Sequence, residues 1–151
     1  MRERKVNIGS VIPIIEERLA DGAEVLFSPN GVSMLPTLKS GRDTVVLISP
    51  PSRLRKYDIA LFKSGSGQYV LHRVISVGET YTFIGDNKFE YERDITKEDI
   101  IALCIAYERG GRRVRLDTPT ARAFAMLWHG IRPLRRLYLA IKRRIKALFK
   151  K

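Results

Sequence analysis

Residues 58–77 read "DIALFKSGSGQYVLHRVISV", two β-branched and aliphatic runs on either side of a Ser-Gly-Ser-Gly stretch. β-Branched and aromatic side chains suit a pleated, half-buried backbone, and Gly and Ser supply the turn, so the segment is expected to form an antiparallel hairpin. Strand alternation sets Val70, His72 and Val74 on one face and Leu71, Arg73 and Ile75 on the other. Each face then carries one polar or charged residue among aliphatics, and at least one of the two must find a partner.

The same texture extends in both directions. "EVLF", "DTVVLIS", "TYTFIG", "DIIALCIAY" and "RRVRL" are further short runs between Glu24 and Leu116, and "SPPS" marks another turn. Strands spaced this closely indicate mainly antiparallel β structure, α+β overall once the flanks are included. Upstream, "SVIPIIEERLADG" has the pattern of a short amphipathic helix, with Ser10 as its N-cap and Gly22 closing it. Downstream, Thr118 and Pro119 offer an N-cap and a first helical residue, and helix is expected from there to the end with a break at Pro133. The expected organisation is an N-terminal helix in residues 1–22, a β domain in 23–116 and a helical tail in 117–151.

At 151 residues and 44% hydrophobic, the chain can bury one core of ordinary size. A single cysteine, Cys104, lies in an apolar run and reads as core filling, which leaves no disulfide framework or thiolate metal site within one chain. His72 and His129 are the only histidines, and no carboxylates stand at zinc-ligand spacing from them, so neither metal nor other cofactor is expected. The N-terminal apolar stretch is too brief for a secretion signal, and no run of ~18 apolar residues suits a membrane span. A cytoplasmic protein without a membrane-spanning anchor is therefore expected, with contact at a membrane surface still open to it.

The net charge of +12 is unevenly placed. Residues 1–108 hold 14 Lys and Arg against 15 Asp and Glu, whereas residues 109–151 hold 14 against Asp117 alone. In the last helix Leu134, Leu137, Tyr138, Ile141, Ile145, Leu148 and Phe149 fall within about 120° of arc, with Arg135, Arg136, Lys142, Arg143, Lys146 and Lys150 elsewhere. Such a stripe packs on the β domain, lies on an anionic membrane surface through residues 117–151, or pairs in a coiled coil. Nucleic acid is the weaker partner, because about 22 residues ahead of the first strand cannot form a helix-turn-helix module.

One serine stands out. Ser33 lies in "NGVSMLPTL", between a glycine turn and a proline turn, and a hydroxyl there bonds its own backbone unless a base can take its proton. His72 is the only histidine of the β region and can act as that base near neutral pH. Asp86, in "GDN", and Asp94 are the carboxylates within reach by sequence to hold the imidazole or to pair with Arg73.

The order of these pieces, "GVSMLPTL", "GRDTVVL", "KYDIALF", "YVLHRVI", "GDN" and "EDIIALCIAY" across residues 23–108, resembles the serine peptidase superfamily of type I signal peptidases and LexA-like self-cleaving proteins. The resemblance implies that Ser33 is the nucleophile and that His72 fills the slot held by lysine in Ser/Lys members. In this it is similar to endoplasmic-reticulum-type and SipW-like signal peptidases, which work by a Ser/His mechanism. Asp86 matches the aspartate of the "GDN" box and Asp94 the further aspartate, either of which would orient His72. The sequence departs from the pattern at "GRD", one residue longer than the usual Gly-Asp pair, and at Gly31, where many members carry a hydroxyl that helps bind the oxyanion. Backbone N–H groups at Ser33 and around Gly31 are expected to serve instead. The implied activity is endopeptidase cleavage of an extended peptide or protein segment. The alternative is a silent peptidase-shaped module held to a membrane or partner by its tail.

Overall fold

The computed structural model describes residues 8–148. Phe149 and Lys150, counted above with the tail, lie outside them, as do residues 1–7. Eight antiparallel strands form one sheet: β1 (Val25–Phe27), β2 (Asp43–Ile48), β3 (Ile59–Lys63), β4 (Tyr69–Val77), β5 (Tyr81–Ile84), β6 (Glu92–Ile95), β7 (Ile100–Arg109) and β8 (Arg112–Arg115). The helices are α1 (Ile8–Ala20), α2 (Pro119–Gly130) and α3 (Arg132–Leu148). The sheet order is β1-β2-β7-β3-β4-β5-β6, with β8 also paired to β7. The architecture is thus the mainly β, α+β arrangement the sequence indicates. Among the described residues no helix is long and apolar enough to cross a membrane.

The hairpin of residues 58–77 forms as expected, with Ala60 opposite His72, Leu61 opposite Leu71 and Ile59 opposite Arg73. Its turn is closed by the Ser64 N–H on the Gln68 carbonyl and the Gly67 N–H on that of Ser64. Period-two alternation on β3 divides the interior. Ile59 and Leu61 join α1, β2 and β7 in one apolar cluster, while Ala60 and Phe62 join Val74, Phe83 and Ile95 in a second. Phe62 and Phe83 stack there at 4.1 Å between ring centroids. Cys104 is buried in the first cluster, where burial pushes its thiol up to about 12, in keeping with core filling.

Two local expectations need correction. Ser10 is not an N-cap, because the helix already includes Ile8 and Ser10 lies inside it. The strand β6 was not expected at all: "ERDI" is charge-rich, and only Tyr81 with Ile95 and Phe83 with Glu92 pair across to β5. The other ends follow the sequence. Gly22 (φ 76°) closes α1, with its N–H on the Leu19 carbonyl and the Ala23 N–H on that of Arg18. The Thr118 side chain caps α2 by accepting the Ala121 N–H at 3.2 Å. The tail breaks at Ile131, with Pro133 in the first turn of α3, where its missing N–H costs no helical bond.

Candidate active site

Ser33 sits in the loop joining β1 to β2, and buried side chains fix that loop. Met34 and Leu38 insert into the first cluster. Asp43, with a fully buried carboxylate, accepts the Lys39 N–H at 2.8 Å and the guanidinium forks of Arg42 and Arg109. Burial alone raises a carboxyl pKa; here the arginine and backbone donors outweigh it and hold Asp43 well below the usual carboxylate range. The extra residue in Gly41-Arg42-Asp43 therefore does not free the loop, since Arg42 itself becomes part of the clamp.

The loop after β5 meets Ser33 from the other side. Asn87 donates its N–H to the Ser33 carbonyl at 2.8 Å and its side-chain amide to the Val32 carbonyl at 3.2 Å. Gly85 is the point of closest approach. A methyl group there would stand 2.6 Å from the Ser33 carbonyl oxygen and 3.1 Å from His72 Nε2, so the serine segment and the imidazole converge over one residue that tolerates no side chain. Gly85→Ala is accordingly expected to destabilise the protein by about 1–3 kcal/mol through overpacking. It should also separate Ser33 from His72, read as lost reactivity toward a serine-directed acylating probe at a temperature where the variant remains folded.

His72 is buried, 2% exposed, edge-on to Phe62 at 6.3 Å between centroids. Its Nε2 faces Gly85, and its Nδ1 is buried with no hydrogen-bond partner among the described residues. Burial, with help from the Lys88 ammonium and against the pull of Asp86, lowers its pKa to about 4, so the ring is neutral at physiological pH. A neutral ring that accepts a proton at Nε2 must carry its own hydrogen on Nδ1.

The expected orienting acid is not at His72. Asp86 is fully buried, but Arg73 takes both of its oxygens (Nε to Oδ1 at 2.8 Å, Nη2 to Oδ2 at 2.7 Å), joined by the Thr37 hydroxyl and by His129 Nε2 at 2.9 Å. Burial opposes this ionisation, yet these donors hold the carboxyl well below the usual carboxylate range. Asp94 lies exposed on β6, beyond β5 from His72, with φ 58° and no hydrogen bond to it. Of the two partners open to Asp86, the fold has chosen Arg73, because two parallel N–H bonds to a guanidinium outcompete one to a neutral ring.

Three residues of this cluster escaped the sequence reading. Thr37 stands within "GVSMLPTL" and Lys88 directly follows "GDN", but neither side chain has a role assigned from the sequence. His129, at the end of α2, donates from Nε2 to Asp86, because Arg132, which can only donate, points at its Nδ1. Trp128 Nε1 donates to the Asp86 carbonyl at 2.8 Å, and Arg135 reaches the same oxygen at 3.2 Å. The tail therefore grips both ends of Asp86, one residue from Gly85.

Ser33, His72 and Lys88 all line a groove of about 1150 Å³ that runs past Gly31 to Leu26 on β1 and Ile14 on α1. No family model, curated protein or solved structure matches the chain. Among the described residues β1 is an end strand paired only to β2, and β5 joins β4 only from Arg73 onward, so Tyr69–His72 have a ladder partner on one side alone. Two backbone edges unpaired among the described residues thus border the groove that Ser33 and His72 line. Gly31, at φ 100°, adopts a conformation other residues rarely take, and the Ser33 N–H is engaged by no acceptor among the described residues.

Proposed function

We propose that the chain is a Ser/His serine endopeptidase, akin in mechanism to the signal-peptidase and LexA-like enzymes its motifs resemble, that cleaves an extended peptide or leader segment on the cytoplasmic side. The observation that carries this reading is the convergence of the Ser33 backbone carbonyl and the Nε2 of a neutral His72 over Gly85, with both residues lining one groove. A substrate would lie in extended form along β1 and the free half of β4, with main-chain pairing supplying affinity. His72 Nε2 takes the Ser33 proton as Oγ attacks the carbonyl carbon. The oxyanion collects at the Ser33 N–H and the amides around Gly31, and the imidazolium then protonates the leaving amine. Water repeats the sequence on the acyl-enzyme and restores Ser33.

The test is incubation with an unstructured peptide library and identification of products by mass. Cleavage at a consistent position is expected, lost in Ser33→Ala; absence of any product from the folded protein across pH 4 to 8 would overturn the reading. The specific observation that favours the silent-module alternative is the unpartnered Nδ1 of His72, which costs about 1–3 kcal/mol and leaves the tautomer unsupported.

The charge state of His72 gives a second check. Activity requires the neutral ring, so kcat/KM should rise through an acid limb near pH 4 and stay flat above it, instead of rising near the ordinary value of 6.5. Lys88→Met removes a neighbouring positive charge and should move that limb to higher pH. A wild-type limb near 6.5 would mean that the base is solvated, contrary to its position.

A further inference from the structure

We infer that α3 is a docking helix for an anionic lipid surface. The two halves of the basic tail behave differently. α2 is seated on the domain, with Ala125 buried, Arg122 paired to Asp58 at 2.7 Å, and Trp128 and His129 on Asp86. Among the described residues α3 is held only at its start, where Arg132 reaches His129 and Tyr91 and Arg135 stacks on Trp128 at 3.8 Å. Beyond that turn no side chain of α3 is buried.

What the helix leaves uncovered is a continuous stripe. Leu134, Leu137, Tyr138, Ile141, Ile145 and Leu148 are 48–77% exposed. At about 100° per residue they span roughly 100° of arc along a helix of about 25 Å. An exposed apolar row of that length marks an interaction surface, since scattered apolar residues do not align this way.

Charge selects the occupant. α3 carries seven Lys and Arg and no acid in its 17 residues. At helical spacing Lys142 and Arg144 border the stripe on opposite sides, while Arg136 and Arg143 point away from it. Long basic side chains at the border can lay their methylenes along an acyl layer and lift their charge to lipid phosphates. A second copy of the chain would bring seven cations against seven with no acid to offset them. Nucleic acid would satisfy the cations and leave the apolar row in water. A bilayer surface with anionic headgroups satisfies both. The helix starts beside residues 86–89, with Arg135 over the Phe89 ring at 5.9 Å, so docking would hold the Lys88 end of the groove close to the membrane.

This assignment stands independently of the chemistry at Ser33. The full-length protein is sedimented with vesicles of phosphatidylcholine alone and of phosphatidylcholine mixed with phosphatidylglycerol. At least about tenfold more protein should bind the mixed vesicles at low salt, and most of it should be released at ~0.5 M salt. Ile141→Asp with Ile145→Asp should abolish binding, and Arg143→Gln with Lys146→Gln should weaken it. Both pairs lie on the exposed helix, and an unchanged melting temperature confirms that the domain is intact. Equal binding to the two vesicle types, or undiminished binding by the Ile141→Asp, Ile145→Asp variant, overturns the inference. So does a dimer in light scattering that the same variant dissolves, or a protein that ignores both vesicles and shifts an RNA duplex.

Discussion

Ser33→Ala should lower the rate of peptide cleavage by about 10⁴-fold or more while leaving the unfolding midpoint in urea where it was. The two halves of this result have separate physical origins. The proposed reaction has one nucleophilic oxygen, and removing it leaves only the groove and the oxyanion donors, which orient a substrate but form no acyl-enzyme. Stability is spared because the loop is held by other atoms: the Ser33 and Val32 carbonyls on Asn87, Met34 and Leu38 in the core, and Asp43 in its arginine clamp. The Ser33 side chain itself makes no hydrogen bond among the described residues, so its loss breaks none. A variant that lost activity and several kcal/mol together would point instead to a structural serine.

Asp86→Ala is expected to cost about 3–5 kcal/mol of folding stability. The substitution strands Arg73, which is 3% exposed, with its buried guanidinium facing an empty space, and removes the acceptor for His129 Nε2. The expected magnitude follows from that uncompensated charge more than from any intrinsic strength of the pair. Replacing both partners by apolar residues, Arg73→Met with Asp86→Leu, should therefore recover most of the loss, because no buried charge remains. Urea titration of the three variants decides the matter. A loss under about 1 kcal/mol in Asp86→Ala would show that water reaches the arginine and that the cluster does not hold the loop.

The same groups set the acid stability. His72 binds a proton at 6.5 when unfolded but only at about 4 in the fold, so its contribution is complete above 6.5 and is lost as pH falls toward 4. Asp43 and Asp86, both lowered from 3.8, keep their contribution above that value and lose it below. Unfolding should accordingly begin gently with the histidine and steepen once the aspartates protonate.

Particular residues show where sequence was sufficient. The hairpin of residues 58–77 is legible because Gly and Ser separate two β-branched and aliphatic runs; its register is set by the structure. The loop carrying Ser33 and the strand carrying His72 were legible as separate pieces for the same reason. β6 was not, since a strand that pairs at two positions on a sheet edge has no buried row to impose alternation. The choice of Arg73 over His72 by Asp86 was open in the sequence, because both stand on one strand a single residue apart, and only packing decides which side chain reaches the carboxylate. His129 was beyond reach for another reason. Its contact with Asp86 spans 43 residues and depends on how α2 docks, which no local pattern encodes. The amphipathic stripe of the tail is legible in its helical spacing, whereas the seating of α2 on the domain and the separation of α3 from it show only in the burial of Ala125 and the exposure of the α3 stripe.

The proposed reaction requires the Ser33 hydroxyl to be a nucleophile activated by His72. Intact-mass measurement after treatment with a fluorophosphonate tests it most directly. The protein should gain a single adduct, mapped to Ser33, that is absent from Ser33→Ala and strongly slowed in His72→Ala. An adduct that persists in Ser33→Ala, or a folded wild-type protein that never forms one, would contradict it.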